Sequence, residues 1–88
     1  MQKYIQTYLD HFDYKIQSDI MCEACGRPAV DIHHINGRGK DKDVIKNLIA
    51  LCRRCHNRAH SSKDYVSPGE FQLIHGYFMQ GTRKQFLK

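Results

Sequence analysis

Two Cys-x-x-Cys units constrain this chain more than any other feature of its sequence. Cys22 and Cys25 form the first unit, Cys52 and Cys55 form the second, and these are all four cysteines among 88 residues. A chain of this length buries only about 60–65% of its unfolded surface, so a cross-link is expected, either two disulfides or one metal site. No signal peptide and no apolar run of about 18 residues is found. This predicts a cytoplasmic protein without a membrane partner, where disulfides are rare, and it favours metal.

Four thiolates in two C-x2-C pairs saturate one tetrahedral Zn²⁺ and leave no open position. Residues 26–51 separate the pairs, a longer gap than the ~15–20 residues of common zinc ribbons. The competing set is a mixed site of two cysteines and two histidines, made of Cys22, Cys25, His56 and His60, which leaves the second cysteine pair without partners. Zinc binding contributes about 10–16 kcal/mol in small peptides, against about 5–15 kcal/mol for the stability of a whole domain. Loss of a structural Zn²⁺ is therefore expected to unfold the chain.

The segment between and just beyond the cysteine pairs is rich in histidine. His56 and His60 have the i, i+4 spacing that places two side chains on one face of a helix. Together with His33 they offer three nitrogen ligands and an open position, which is the arrangement of a catalytic divalent ion. His33 and His34 are adjacent, and adjacent strand residues point to opposite faces. Both reach one site only if the strand ends or bulges beside them.

The remaining patterns predict a small α+β domain. Apolar residues at helical spacing predict an amphipathic helix over roughly residues 2–16. A run rich in β-branched residues predicts a strand at 29–35, and a short apolar run predicts a second strand at 47–52. A charged loop at 36–43 lies between them, and a short helix is expected at 53–61. Ser67 as N-cap, Pro68 and Glu70 predict the start of a second long helix, which Gly81 ends. We expect one domain over 1–88, with an N-terminal helix in 1–20, a metal-binding core in 22–61 and a C-terminal helix in 67–80.

The charge of the chain favours a polyanionic partner. The net charge is +5, with 14 Lys and Arg against 9 Asp and Glu, and basic residues concentrate in the histidine-rich segment. Such a cluster is typical of nucleic-acid binding, although a solvated basic face explains the same pattern equally well. The candidate phosphate contacts are Arg38, Lys40, Arg53, Arg54 and Arg58.

Three motifs in order make the sequence resemble HNH endonucleases of the zinc-knuckle type. They are the first Cys-x-x-Cys, the run Asp-Ile-His-His-Ile at 31–35, and the stretch 47–60 that carries Asn47, the second cysteine pair, His56 and His60. The resemblance implies a ββα-metal fold, here a hairpin-plus-helix core cross-linked by a four-cysteine zinc site and flanked by N- and C-terminal helices. It also implies hydrolysis of phosphodiester bonds in DNA, expected to be double-stranded, with 5′-phosphate and 3′-hydroxyl products.

The same resemblance implies a role for each chemical residue. His34 is expected to be the general base that activates water, and Asn47 is expected to orient it by hydrogen bonding. His33, in a place where many family members have aspartate, and His56 are the expected ligands of one divalent ion, with His60 as a third. Imidazole suits Zn²⁺, Ni²⁺ or Co²⁺ and carboxylate suits Mg²⁺ or Mn²⁺, so the identity of this ion stays open. A neutral imidazole accepts a proton at physiological pH.

Two other classes of protein share part of this pattern. A zinc-finger-like module that binds nucleic acid without cutting it explains the cysteines and the basic residues, but gives no reason for His33, His34, Asn47 and His56 to occur together. A zinc-bound adaptor for protein partners explains neither the histidines nor the basic segment. The sequence predicts no particular protein partner or oligomeric state.

Overall fold

A two-stranded antiparallel hairpin lies at the centre of the computed structural model, which describes residues 2–87. The helices are α1 (Lys3–His11), α2 (Arg53–Asn57) and α3 (Pro68–Met79), and the strands are β1 (Asp31–His34) and β2 (Leu48–Leu51). Single 3₁₀ turns lie at Gln17–Asp19 and Ile45–Asn47. The predicted α+β class is confirmed. Within residues 2–87 no helix is long and apolar enough to span a membrane.

The hairpin is covered on both faces, and this divides the core into two clusters. Ile49 and Leu51 of β2 pack with the cysteines and with α3, whereas Leu48 and Ala50 pack against α1. This alternation follows from the two-residue period of a strand. The register pairs His33 with Ile49 and His34 with Leu48, so the two histidines belong to opposite faces of the sheet.

Helix α1 is shorter than the apolar spacing predicts. The prediction of a helix over residues 2–16 was wrong, because α1 ends at His11 and Ile16 is exposed. Asp13 has a left-handed φ of 58°, and the N–H of Tyr14 donates to the carbonyl of Leu9. This is a Schellman ending with aspartate at the position where glycine is most common. The chain then turns back, and Tyr14 joins the aromatic cluster beside α1.

Helix α2 is also shorter than predicted, whereas α3 is as predicted. The helix expected over 53–61 ends at Asn57, because the N–H of His60 bonds three residues back and the carbonyl of Arg58 accepts from Val66. Helix α3 begins with the full capping box between Ser67 and Glu70. It buries its Phe71, Ile74, His75 and Phe78 side, and Gly81, at φ 95°, follows its end.

Candidate metal centre and active site

The four cysteines converge although 26 positions separate the two pairs in sequence (26–51). Each Cys-x-x-Cys unit forms a turn: Gly26 takes a φ of 80° after the first, and Cys52 caps the N-terminus of α2 in the second. All four sulfur atoms lie within 4.8 Å of one another, and the Cys25 and Cys52 Sγ atoms are 3.6 Å apart. Zn–S bonds of about 2.3 Å place tetrahedral sulfurs about 3.8 Å apart. The cluster therefore fits one structural Zn²⁺.

The charge state of the thiols also suits a cation. The pKa of Cys22 is lowered because the Cys55 thiol donates a hydrogen bond to its sulfur, and the same bond raises the pKa of Cys55. Burial raises the pKa of Cys25. Four buried thiols cannot all ionise against one another without a positive ion among them. The convergence of all four cysteine sulfurs favours the four-cysteine site over the mixed cysteine–histidine set with His56 and His60.

His33 and His56 face each other beside this cluster, on the α2 side of the hairpin. Their ring centroids are 4.8 Å apart. The Nδ1 atom of His56 lies 2.7 Å from Asp31 Oδ2, and Arg53 contacts the same oxygen at 3.1 Å. The Nδ1–H group of His56 donates a hydrogen bond to this carboxylate. In the neutral ring the Nε2 atom then has a lone pair. This imidazole–carboxylate pair is the usual support of a metal-binding histidine.

The imidazole of His33 is held in its neutral form. Burial is the largest cause of a lowered pKa, and the charges of His56 and His60 add to it, so the pKa of His33 falls to about 4. The ring also packs against Phe71, at a centroid distance of 5.6 Å. A histidine that is neutral at physiological pH has a nitrogen lone pair ready for a cation.

His60 is less closely placed than the other two histidines. It lies beyond the end of α2, so the helical i, i+4 argument for pairing it with His56 was wrong. The two rings are 6.2 Å apart and His60 is exposed. Within residues 2–87, the four cysteines are the group of candidate ligands that are already close enough to hold an ion. His33, His56 and His60 are not such a group in this arrangement.

His34 and His33 border the same cavity from opposite faces of β1. His34 is the last residue of the strand, and the turn after it opens the sheet edge. This cavity, the histidine cavity, measures about 240 Å³ and is lined by Ile32, His33, His34, Gly37, Arg38, His56 and His60. The strand ending that the sequence required to bring both histidines to one site is thus present.

The ring of His34 is buried and has one polar partner. Its Nε2 atom lies 2.7 Å from Asp43 Oδ1, while its Nδ1 atom is buried without a hydrogen-bond partner among the described residues. Tyr4 packs edge-on against the ring at 4.6 Å, and the Arg38 guanidinium stands over Tyr4 at 5.4 Å. The ring therefore has a fixed orientation at the cavity wall.

Asn47 acts on the loop that follows β1 rather than on the imidazole of His34. Its Oδ1 atom accepts from the N–H of Asn36 at 2.8 Å. Its amide donates to the carbonyls of Lys42 and Gly37, at 2.9 and 3.2 Å. The direct bond to His34 that the resemblance implies is not among its contacts. Asn47 closes the loop between its two ends.

The predicted phosphate contacts fall into two groups. Arg38, Lys40 and Arg54 are exposed, and Arg38 also lines the histidine cavity. Arg53 is exposed but bonded to Asp31. Arg58 is mostly buried, and its Nε atom lies 3.6 Å from Asp64. Arg58 is therefore a poorer candidate for contact with a phosphate than the other four.

A buried polar network that the sequence did not predict joins the first cysteine unit to both long helices. Glu23 accepts from the hydroxyl of Tyr8 in α1 and from the N–H of Ala50 in β2. Its other oxygen lies 2.7 Å from Nδ1 of His75 in α3, whose Nε2 lies 2.7 Å from the carbonyl of Ile45. A carbonyl only accepts, so His75 donates there. Burial alone lowers the pKa of His75, but the bond and charge of Glu23 outweigh it and the pKa is raised.

A hairpin and a following helix, cross-linked by a four-cysteine site and bordered by histidines, define a small domain of the ββα-metal type. Residues 22–62 match the family model of HNH endonucleases. The match contains both cysteine units, the hairpin and α2, and it confirms the resemblance to the HNH endonuclease family. In general terms it indicates nuclease activity on nucleic acid. No curated protein and no solved structure matches the chain.

Proposed function

We propose that this protein is a metal-dependent DNA endonuclease that works in the histidine cavity, with residues 1–88 acting as one domain. The observation that carries the proposal is the cavity itself, where His33, His34 and His56 meet beside Arg38. Two of these imidazoles have a carboxylate partner at 2.7 Å.

His33 and His56 are the residues proposed to hold one divalent ion. The neutral ring of His33 and the Nε2 lone pair of His56 supply two nitrogen ligands on neighbouring elements, and His60 supplies a third after rotation about its side-chain bonds. When bound, such an ion neutralises charge on the scissile phosphate and on the departing oxygen. Imidazole ligands favour Zn²⁺, Ni²⁺ or Co²⁺. Mg²⁺ or Mn²⁺ would bind here with further oxygen ligands from water and phosphate.

His34 is proposed as the general base. A water oxygen attacks phosphorus while its proton passes to the imidazole of His34. The bond from phosphorus to the 3′-oxygen breaks, and that oxygen takes a proton from solvent. The products are a 5′-phosphate and a 3′-hydroxyl. Asn47 supports this step by fixing the loop beside His34.

DNA, in double-stranded form, is the proposed substrate. Arg38 is the best-placed cation, because it lines the cavity and its guanidinium is held over Tyr4. Lys40, Arg53 and Arg54 extend the positive surface along the loop and α2. Phosphate contacts of this kind give affinity and position without sequence specificity.

A module that binds nucleic acid without cutting it remains the rival. Incubating zinc-loaded protein with supercoiled plasmid in the presence of Mg²⁺, Mn²⁺, Co²⁺, Ni²⁺ or added Zn²⁺ distinguishes an endonuclease from such a binding module. We expect nicked or linear plasmid with at least one ion and none after chelation. Binding without cleavage under every ion would support the rival instead.

A further inference from the structure

The sequence did not predict that His34 pairs with Asp43. The pair also differs from a surface ion pair, because one of its two partners is buried. Asp43 Oδ1 lies 2.7 Å from Nε2 of His34. The side chain of Asp43 is 55% exposed, whereas that of His34 is only 4% exposed. An exposed carboxylate thus reaches one edge of a buried imidazole.

This pair contributes little to stability. Ion pairs with an exposed partner add little to stability. A buried nitrogen without a partner is destabilising, and the Nδ1 atom of His34 is in that state. Stability alone does not account for an arrangement in which the cost exceeds the gain.

The arrangement does fix which nitrogen of His34 carries a proton. A carboxylate only accepts, so Nε2 is protonated and donates to Asp43. The Nδ1 atom then has a lone pair and no hydrogen-bond partner among residues 2–87. Because nearly all buried polar atoms in folded proteins are bonded, this nitrogen stands out as the unused acceptor of a ring that lines the cavity.

The loop holds Asp43 in place. Asn47 donates to the carbonyl of Lys42, the residue immediately before Asp43, at 2.9 Å. It also binds the first part of the loop through Asn36 and Gly37. Asn47 therefore acts on His34 indirectly. It holds the backbone next to Asp43, and the carboxylate of Asp43 contacts the ring of His34.

We propose that Asp43 is a positioning residue for the base: it holds His34 as the Nε2–H tautomer, so that Nδ1 accepts the proton from water. The inference rests on the proposed function. The O–H bond of water breaks, its proton joins Nδ1, and the Nε2 proton stays between His34 and the Asp43 carboxylate. The carboxylate also stabilises the imidazolium that forms, as in other histidine–aspartate pairs.

The test compares Asp43→Asn with Asp41→Asn. Both changes remove one negative charge from the same loop, and Asp41, at φ 64°, lies in a conformation that asparagine tolerates. Single-turnover plasmid nicking is measured across a metal titration, together with DNA affinity. Asp43→Asn is expected to lose about tenfold or more in rate, up to the ~10²–10⁴-fold that the general base itself contributes. DNA affinity and the metal dependence should stay those of Asp41→Asn.

A second readout does not depend on activity. Nitrogen-15 spectra of ring-labelled wild type should show His34 with a protonated Nε2, and a hydrogen-bonded proton there that is lost in Asp43→Asn and kept in Asp41→Asn. Equal cleavage rates for the two variants, recovery of Asp43→Asn at high metal, or a protonated Nδ1 in wild type would each overturn the role of Asp43. A wild type that cuts no DNA with any ion would refute the proposed function, and the role of Asp43 with it.

Discussion

Glu23 lies between two zinc-ligand candidates in sequence, yet its side chain serves the packing of the whole chain. It is 3% exposed and has hydrogen-bond partners in α1, β2 and α3. A charge pair buried this completely is costly to form, but removing one partner leaves the other uncompensated. The network therefore specifies how both long helices meet the hairpin.

Replacing Glu23 by glutamine should destabilise the protein by about 3–5 kcal/mol, the cost of breaking a buried pair. The reason is that His75 loses its carboxylate while its other nitrogen still donates to Ile45. Urea unfolding at a fixed excess of zinc measures the change. Tyr8→Phe, which removes one hydrogen bond to the same carboxylate, should cost only about 1–3 kcal/mol. Equal stability of Glu23→Gln and wild type would contradict this reading.

The sequence predicts which side chains carry the chemistry of the site, but it does not predict which carboxylates form hydrogen bonds with them. The histidines and cysteines stand out by type and spacing. Asp31, Asp43 and Glu23 do not, since carboxylates are common on any surface and their partners lie up to 52 positions away along the chain. Only the folded loop and hairpin bring them to the imidazoles.

Among the elements, those with complete local signals were predicted correctly. The capping box of α3 and the apolar runs of the hairpin specify their own boundaries to within a few residues. Helices α1 and α2 were predicted too long, because Asp13 takes a left-handed conformation without being glycine and because the carbonyl of Arg58 bonds to the distant Val66. A local left-handed turn ends α1 and a contact with a residue further along the chain follows the end of α2, and the spacing of apolar residues within a helix predicts neither.

The loop between β1 and β2 is expected to carry a phosphate contact through Arg38. Arg38→Gln should lower the slope of log affinity against log salt by about 0.9, the value of one phosphate contact on duplex DNA. Lys84→Gln is the matched control, because Lys84 lines a separate cavity beside the first cysteine unit. Titrations of a labelled duplex at several salt concentrations give both slopes. An unchanged slope for Arg38→Gln, or an equal drop for Lys84→Gln, would argue against this surface.

The molecule as a whole depends on the cysteine cluster, because the hairpin, α2 and the first Cys-x-x-Cys unit meet there. Purified protein should contain one tightly bound zinc ion. Cys52→Ser should be unfolded or aggregated, since zinc binding is worth about 10–16 kcal/mol in small peptides. Circular dichroism during chelation, followed by zinc addition, tests reversibility in the unmodified chain. Folded zinc-free protein with the thermal stability of the zinc-loaded form would disprove this dependence.

The proposed function requires that DNA is hydrolysed in the histidine cavity, with His34 as base and His56 as an ion ligand. Single-turnover nicking of supercoiled plasmid across a metal titration, for wild type, His34→Ala and His56→Ala, tests these two roles. His11→Ala, at an exposed position outside the cavity, is the control. His34→Ala should lose about 10²–10⁴-fold in rate at every metal concentration, while keeping its zinc and its affinity for DNA. His56→Ala should recover part of its activity as metal is raised. Cleavage by His34→Ala at the wild-type rate would show that His34 is not the general base.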